Sequence, residues 1–109
     1  MTAGHLKTLN DALTLEYLEA DFYQRGIDAN MFSARERTLL RLICDHERAQ
    51  VGALTSAIQR LGGKPAQRPA FQYPGGTFTD REMFLRIAST FEYLCAPMCV
   101  SQANVWVQS

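Results

Sequence analysis

Three glutamates occupy or border positions where a helical bundle would place apolar side chains: Glu16, Glu47 and Glu92. Read in alternating steps of three and four residues, the chain shows three apolar stripes, and Glu16 and Glu47 stand near the middle of the first two. Glu92 lies on the flank of the third stripe, in line with Leu85. An ionised carboxylate left unpaired in an apolar interior costs several kcal/mol, so such a group takes up a proton, pairs with a cation or binds metal.

One glutamate on each helix, at about the same height, indicates a shared cation. Carboxylates that project inward from facing helices form the di-iron and di-manganese sites of bundle proteins. A second interpretation stays open, in which the helical phase differs slightly and the three acids are solvated or form ordinary ion pairs. Arg41, Arg48 and Arg86 are available partners for that alternative.

The helices that would carry these glutamates are delimited by capping residues and glycines. The pattern predicts three helices and one long loop, over about residues 5–25, 34–61, 80–96 and 62–79 respectively. Gly26 is expected to stop the first helix, while Ser33 with Glu36, and Thr79 with Glu82, form Ser/Thr-x-x-Glu capping boxes at the start of the second and third. No alternating apolar pattern predicts a strand. The expected fold class is therefore all-α: an antiparallel bundle of three long helices plus a short C-terminal tail.

Composition and charge exclude several classes of function. The chain has 109 residues, enough for a single domain, and its net charge is zero with no basic run, which argues against nucleic-acid binding. No apolar stretch is long enough to span a membrane. His5, Lys7 and Asp11 lie where a signal peptide would need its apolar region. With His5 and His46 as the two histidines and no glycine-rich phosphate loop, neither a nucleophilic triad nor a nucleotide site is expected.

Three stretches of the chain resemble the ferritin-like domain family: residues 9–23, 43–47 and 53–63. More narrowly, they resemble the branch that includes plant desiccation-related proteins and their bacterial and fungal relatives. The loop over residues 68–74 and the segment 84–102 also resemble that branch. The resemblance implies a ferritin-like bundle, which we expect to be truncated because the pattern predicts no fourth helix. It also implies iron or manganese as cofactor if Glu16, Glu47 and Glu92 hold a metal ion, and no cofactor otherwise.

The ligands implied by this resemblance can be matched position by position. Ferritin-like di-iron proteins supply a first-helix Glu with a Tyr seven residues later, which Glu16 and Tyr23 match. Their second helix supplies Glu-x-x-His, and here Glu47 is followed by Gln50 in the usual histidine position. Their third helix supplies a Glu, matched by Glu92, and the second Glu-x-x-His has no counterpart. The resemblance therefore implies a degenerate metal site with Tyr23 and Gln50 beside its three glutamates.

Three functions follow from these observations, and the first is favoured. It is a desiccation- or stress-related helical bundle with a degenerate carboxylate metal site and no catalysis. The second is a carboxylate-bridged di-iron or di-manganese oxidase or catalase-like protein whose site is completed by dimerisation. The third is an interaction module with an open apolar groove between its helices. We expect a homodimer or a partner helix to cover that groove. Relatives of the branch are often secreted, whereas the pattern predicts no signal peptide here and leaves the localisation open.

Overall fold

Two long helices form the frame of the molecule in the computed structural model, which describes residues 3–93. Helix α1 spans Ala3–Asp28 and helix α2 spans Ala34–Arg60. A third helix, α3, begins at residue 81 and continues to 93, the last described position. Within the described range there is no strand, so the expected all-α fold is confirmed. The predicted end of the third helix and the C-terminal tail lie outside the described residues.

Helices α1 and α2 pack antiparallel around two apolar clusters. One cluster joins the first half of α1 to the second half of α2, and its buried members are Leu9, Ala12, Leu13, Leu54 and Ile58. The other joins the end of α1 to the start of α2 and to α3, and its buried members are Phe22, Tyr23, Phe32, Leu40, Cys44 and Phe84. Between the two clusters lies the middle of α1, where the sequence places acidic residues instead of apolar ones.

The helix starts show how far local sequence determines structure. At α2 the capping box is confirmed: the Ser33 hydroxyl accepts from the Glu36 N–H at 3.2 Å, and the Glu36 carboxylate accepts from the Ser33 N–H at 3.0 Å. At α3 the predicted capping box of Thr79 and Glu82 is wrong. Asp80 caps the helix instead, because its carboxylate accepts from the Glu82 N–H at 3.0 Å and favours the positive end of the helix dipole.

Gly26 lies inside α1, which continues past the predicted stop to Asp28. The structure shows what this glycine does there. A Cβ atom at position 26 would stand 2.3 Å from Cε2 of Phe84. The Phe84 ring is fully buried and stacks on Phe22 with centroids 4.3 Å apart. Gly26 therefore allows α3 to approach α1 closely.

The long connection between α2 and α3 runs back along α1. Asn10 holds its beginning, donating to the Lys64 carbonyl at 3.1 Å and accepting from the Ala66 N–H at 2.7 Å. Tyr73 holds its middle, donating to the carboxylate of Asp21 at 2.7 Å. The connection thus returns the chain to the end where α2 starts.

Helix α3 consequently runs parallel to α2 and antiparallel to α1. Its first turn pairs with the first turn of α2 through Arg81 and Glu36. Further along, the Phe91 ring contacts Phe22 with centroids 5.0 Å apart, four residues earlier in α1 than Gly26. This order of two antiparallel helices, a crossover and a third helix packs α3 against the second half of α1. No helix within residues 3–93 combines the length and apolar character needed to cross a bilayer.

Candidate functional site

Three buried carboxylates converge between α1 and α2. Glu16, Glu19 and Glu47 each place one oxygen within 4.8 Å of the other two. Glu16 and Glu19 are 1% exposed and Glu47 is 9% exposed. The two α1 residues are three apart, so they lie on one face of that helix, and Glu47 faces them from α2. These three residues are called the carboxylate cluster below.

Electrostatics disfavour three ionised carboxylates at this position unless a proton or a cation accompanies them. Two full negative charges 4.8 Å apart repel by about 3.5 kcal/mol at an effective dielectric constant of about 20, and the cluster contains three such pairs. A divalent cation bound among the oxygens replaces this repulsion with attraction. The arrangement is thus suited to binding metal, as inward carboxylates of helical bundles are.

Two oxygen atoms beside the cluster support the same conclusion. Oε2 of Glu47 and Oε1 of Gln50 are buried and accept no hydrogen bond from any residue that the structure describes. Buried acceptors normally have a partner, which is a protein donor, an ordered water or an ion. Gln50 follows Glu47 by one helical turn, so both side chains can reach a common ligand. The donor set fits an oxygen-coordinated cation.

His46 does not supply the imidazole that the second helix lacks. Its side chain is exposed, and Nδ1 lies 3.9 Å from Oε1 of Glu47, which is an ion-pair distance when the imidazole is protonated. Adjacent residues of a helix point about 100° apart. His46 therefore flanks Glu47 at the surface, as expected for a neighbour in sequence.

Glu92 stands apart from the carboxylate cluster, on the exposed side of α3. Its Oε1 accepts a hydrogen bond from the Tyr23 hydroxyl at 3.3 Å. Burial raises the pKa of Tyr23 well above its usual value, and the negative charges of Glu92, Glu19 and Glu47 raise it further. Tyr23 therefore stays protonated and lies within electrostatic reach of both Glu92 and the cluster. Of the predicted glutamates, the structure brings Glu16 and Glu47 together, whereas Glu92 contacts the Tyr23 hydroxyl and is not a member of the cluster.

Glu19 is the member of the carboxylate cluster that sequence reasoning missed. Alternating steps of three and four residues led from Glu16 to Ala20 and then to Tyr23. A step of three followed by a step of four reaches Tyr23 through Glu19 instead, and that route defines the face that is buried against Glu47. The missed signal was a second acid one turn after the first, on the same helical face.

The arginines considered for ordinary ion pairs have other neighbours. Arg86 pairs with Glu82 at 2.9 Å on the surface of α3. Arg48 donates to the amide oxygen of Gln24. Arg41 lines a cavity together with Asp45. These neighbours are not members of the carboxylate cluster.

Comparison with known proteins supplies one match. A family model described as a ferritin-like domain matches residues 4–108. No curated protein and no solved structure matches the chain. The matched range contains the carboxylate cluster, α2, all of α1 except its first residue, and the described part of α3.

Proposed function

The chain belongs to the ferritin-like domain family, and we propose that it binds a divalent metal ion with Glu16, Glu19 and Glu47 without acting as an oxidase. The observation that carries this proposal is the meeting of three buried carboxylates from two helices, with oxygens within 4.8 Å of one another. The buried acceptor Oε2 of Glu47, which lacks a hydrogen bond among the described residues, supports it.

The donor chemistry favours manganese over iron. Carboxylate and amide oxygens suit hard ions such as Mn²⁺, whereas imidazole nitrogen suits iron. Among residues 3–93 the buried groups beside the cluster include the Gln50 amide and the Tyr23 phenol, while the His46 imidazole flanks Glu47 on its exposed side. A bound ion would supply positive charge that holds α1 against α2 at the point where the apolar packing is interrupted.

The absence of catalysis and the biological context are part of the proposal. Gln50 in the usual histidine position supports a binding role, because a neutral amide is a weaker ligand for redox-active iron than imidazole is. The resemblance of residues 68–74 to the desiccation-related branch supports a role under desiccation or stress.

Electron paramagnetic resonance tests the binding proposal, because free Mn²⁺ gives a sharp signal that is lost on coordination. Titration of the purified protein should deplete that signal up to about one ion per chain. Glu16→Gln should abolish the depletion, while Glu82→Gln, which removes an exposed acid on α3, should leave it unchanged. Equal signals with and without protein would refute the proposal.

A second candidate function is a dimeric metal enzyme, and one observation favours it. Leu39 and Leu42 are 55% and 62% exposed, and with Ile43 they form an apolar face on α2 next to Glu47. Large exposed apolar side chains in one patch mark association surfaces. A second copy or a partner helix seated there would bring further ligands near the cluster.

Two measurements distinguish this candidate from the first. Sedimentation equilibrium should show a dimer that Leu42→Lys dissociates, and the protein loaded with Fe²⁺ should consume oxygen faster than iron in buffer. A monomer, or a dimer without oxygen consumption, would eliminate the enzyme.

A further inference from the structure

A cavity of about 260 Å³ lies between α1, α2 and the crossover, away from the carboxylate cluster. On α1 it is lined by Tyr17, Ala20, Asp21 and Gln24, which are spaced so that they share one helical face. That face is turned by about 120° from the face of Glu16 and Glu19, at 100° per residue. The cavity is therefore a separate site.

Positive charge exceeds negative charge in this cavity. Arg48 enters it from α2 and Arg68 from the crossover, and the one carboxylate in its lining is Asp21. That carboxylate already pairs with both Arg68 and Arg25. The observed partner of Arg48 is the neutral amide oxygen of Gln24. The guanidinium groups of Arg25, Arg48 and Arg68 thus face a single carboxylate, that of Asp21.

Two neighbouring acids lie beside this cavity without lining it. Asp45 lines a second cavity together with Arg41, and Gln24 and Arg48 border both cavities. Asp28 accepts a hydrogen bond from the Gln24 amide nitrogen at 3.0 Å, which leaves the Gln24 amide oxygen for Arg48. The lining of the first cavity thus holds two arginines and one acid.

We propose that this cavity binds a small oxyanion between Arg48 and Arg68. Guanidinium groups present planar pairs of N–H donors that match the oxygens of phosphate and carboxylate groups. The Arg68 side chain is 57% exposed and Arg48 is also exposed, so a ligand can reach both from solvent. The cavity volume is large enough to accommodate inorganic phosphate or a small dicarboxylate.

Titration with inorganic phosphate, followed by ¹H–¹⁵N NMR spectra, tests the proposal. At constant ionic strength set with sodium chloride, the amide signals of Ala20, Gln24, Arg48 and Val51 should shift and saturate at millimolar phosphate. A parallel titration with succinate separates a phosphate-selective site from a general oxyanion site. Saturation by either probe supports the proposal, and saturation by neither overturns it.

Two variants, one that removes a positive charge and one that adds a negative charge, should both weaken phosphate binding. Arg48→Gln removes a donor, and a charge-assisted hydrogen bond is strong enough that binding should weaken about tenfold or more. Gln24→Glu keeps the side-chain shape but places a carboxylate against Arg48, so it should also weaken binding. Arg60→Gln, with the same change of charge at the far end of α2, should leave it unchanged. Equal affinity in all four proteins would show that the shifts arise elsewhere.

Discussion

Replacing Glu47 by glutamine should stabilise the metal-free protein and destabilise it relative to wild type when metal is present. Each pair of charges in the carboxylate cluster repels by about 3.5 kcal/mol at its 4.8 Å limit, and Glu47 takes part in two of the three pairs. With all three acids fully ionised, the relief at this separation is therefore about 7 kcal/mol. The new amide can also donate to the remaining carboxylates from the position of Oε2, which now lacks a hydrogen bond among the described residues.

The measured gain in stability should be smaller than this figure of about 7 kcal/mol for full ionisation, because a cluster of acids relieves part of its repulsion by taking up protons. We expect Glu47→Gln to gain about 1–3 kcal/mol in EDTA, the usual size of a single-residue effect. For a domain of this size, a gain of 1 kcal/mol raises Tm by about 4–8 °C.

Thermal unfolding followed by circular dichroism measures this in EDTA and again with Mn²⁺. Metal at about 100 times its Kd adds about 2.7 kcal/mol to the wild type, and the variant should gain less because it has lost a ligand. The order of the two Tm values should therefore reverse between EDTA and Mn²⁺. Glu82→Gln serves as the control and should reverse nothing. A variant that is less stable than wild type in EDTA, with no effect of metal on either protein, would refute the electrostatic reasoning.

Three further predictions concern the frame around the cluster. Gly26→Ala should destabilise by about 1–3 kcal/mol in urea unfolding, because its Cβ would stand 2.3 Å from Phe84, whereas Gly52→Ala meets nothing within 4 Å and should stabilise by up to about 1 kcal/mol. Asp21→Asn should lower the free energy of unfolding by about 1–3 kcal/mol, because two arginines and a tyrosine lose their shared carboxylate. It should also speed proteolysis of the crossover, and an unchanged cleavage rate would contradict this. Hydrogen bonds from an arginine and from the N-cap backbone lower the pKa of Glu36 from 4.5 to about 2, so its contribution is present above pH 4.5 and lost as pH falls toward 2. Glu36→Gln should accordingly lower Tm at neutral pH and match wild type near pH 2.

Features that depend on neighbouring residues were predictable from the sequence. The Ser33 capping box was found because its two side chains are three residues apart and bond to each other's backbone. Glu16 and Glu47 were found because each interrupts an apolar stripe. Glu19 was missed although the same rule reaches it, since a helical face can be followed through either a three- or a four-residue step.

Features that depend on distant contacts were not predictable from one sequence. Gly26 looked like a helix stop because nothing local shows that Phe84 packs against it. Asp21 gave no signal, since its partners Arg68 and Tyr73 are brought to it by the crossover. The predicted start of α3 was one residue too early. Thr79 and Asp80 are both good caps, and the turn that precedes the helix decides between them.

Native mass spectrometry of the intact chain after equilibration with Mn²⁺ tests the central claim most directly. The account predicts a species carrying about one ion per chain, and loss of that ion in Glu47→Gln under the same conditions. A wild-type spectrum without bound metal, or metal retained equally by the variant, would contradict the claim that the carboxylate cluster is a cation site.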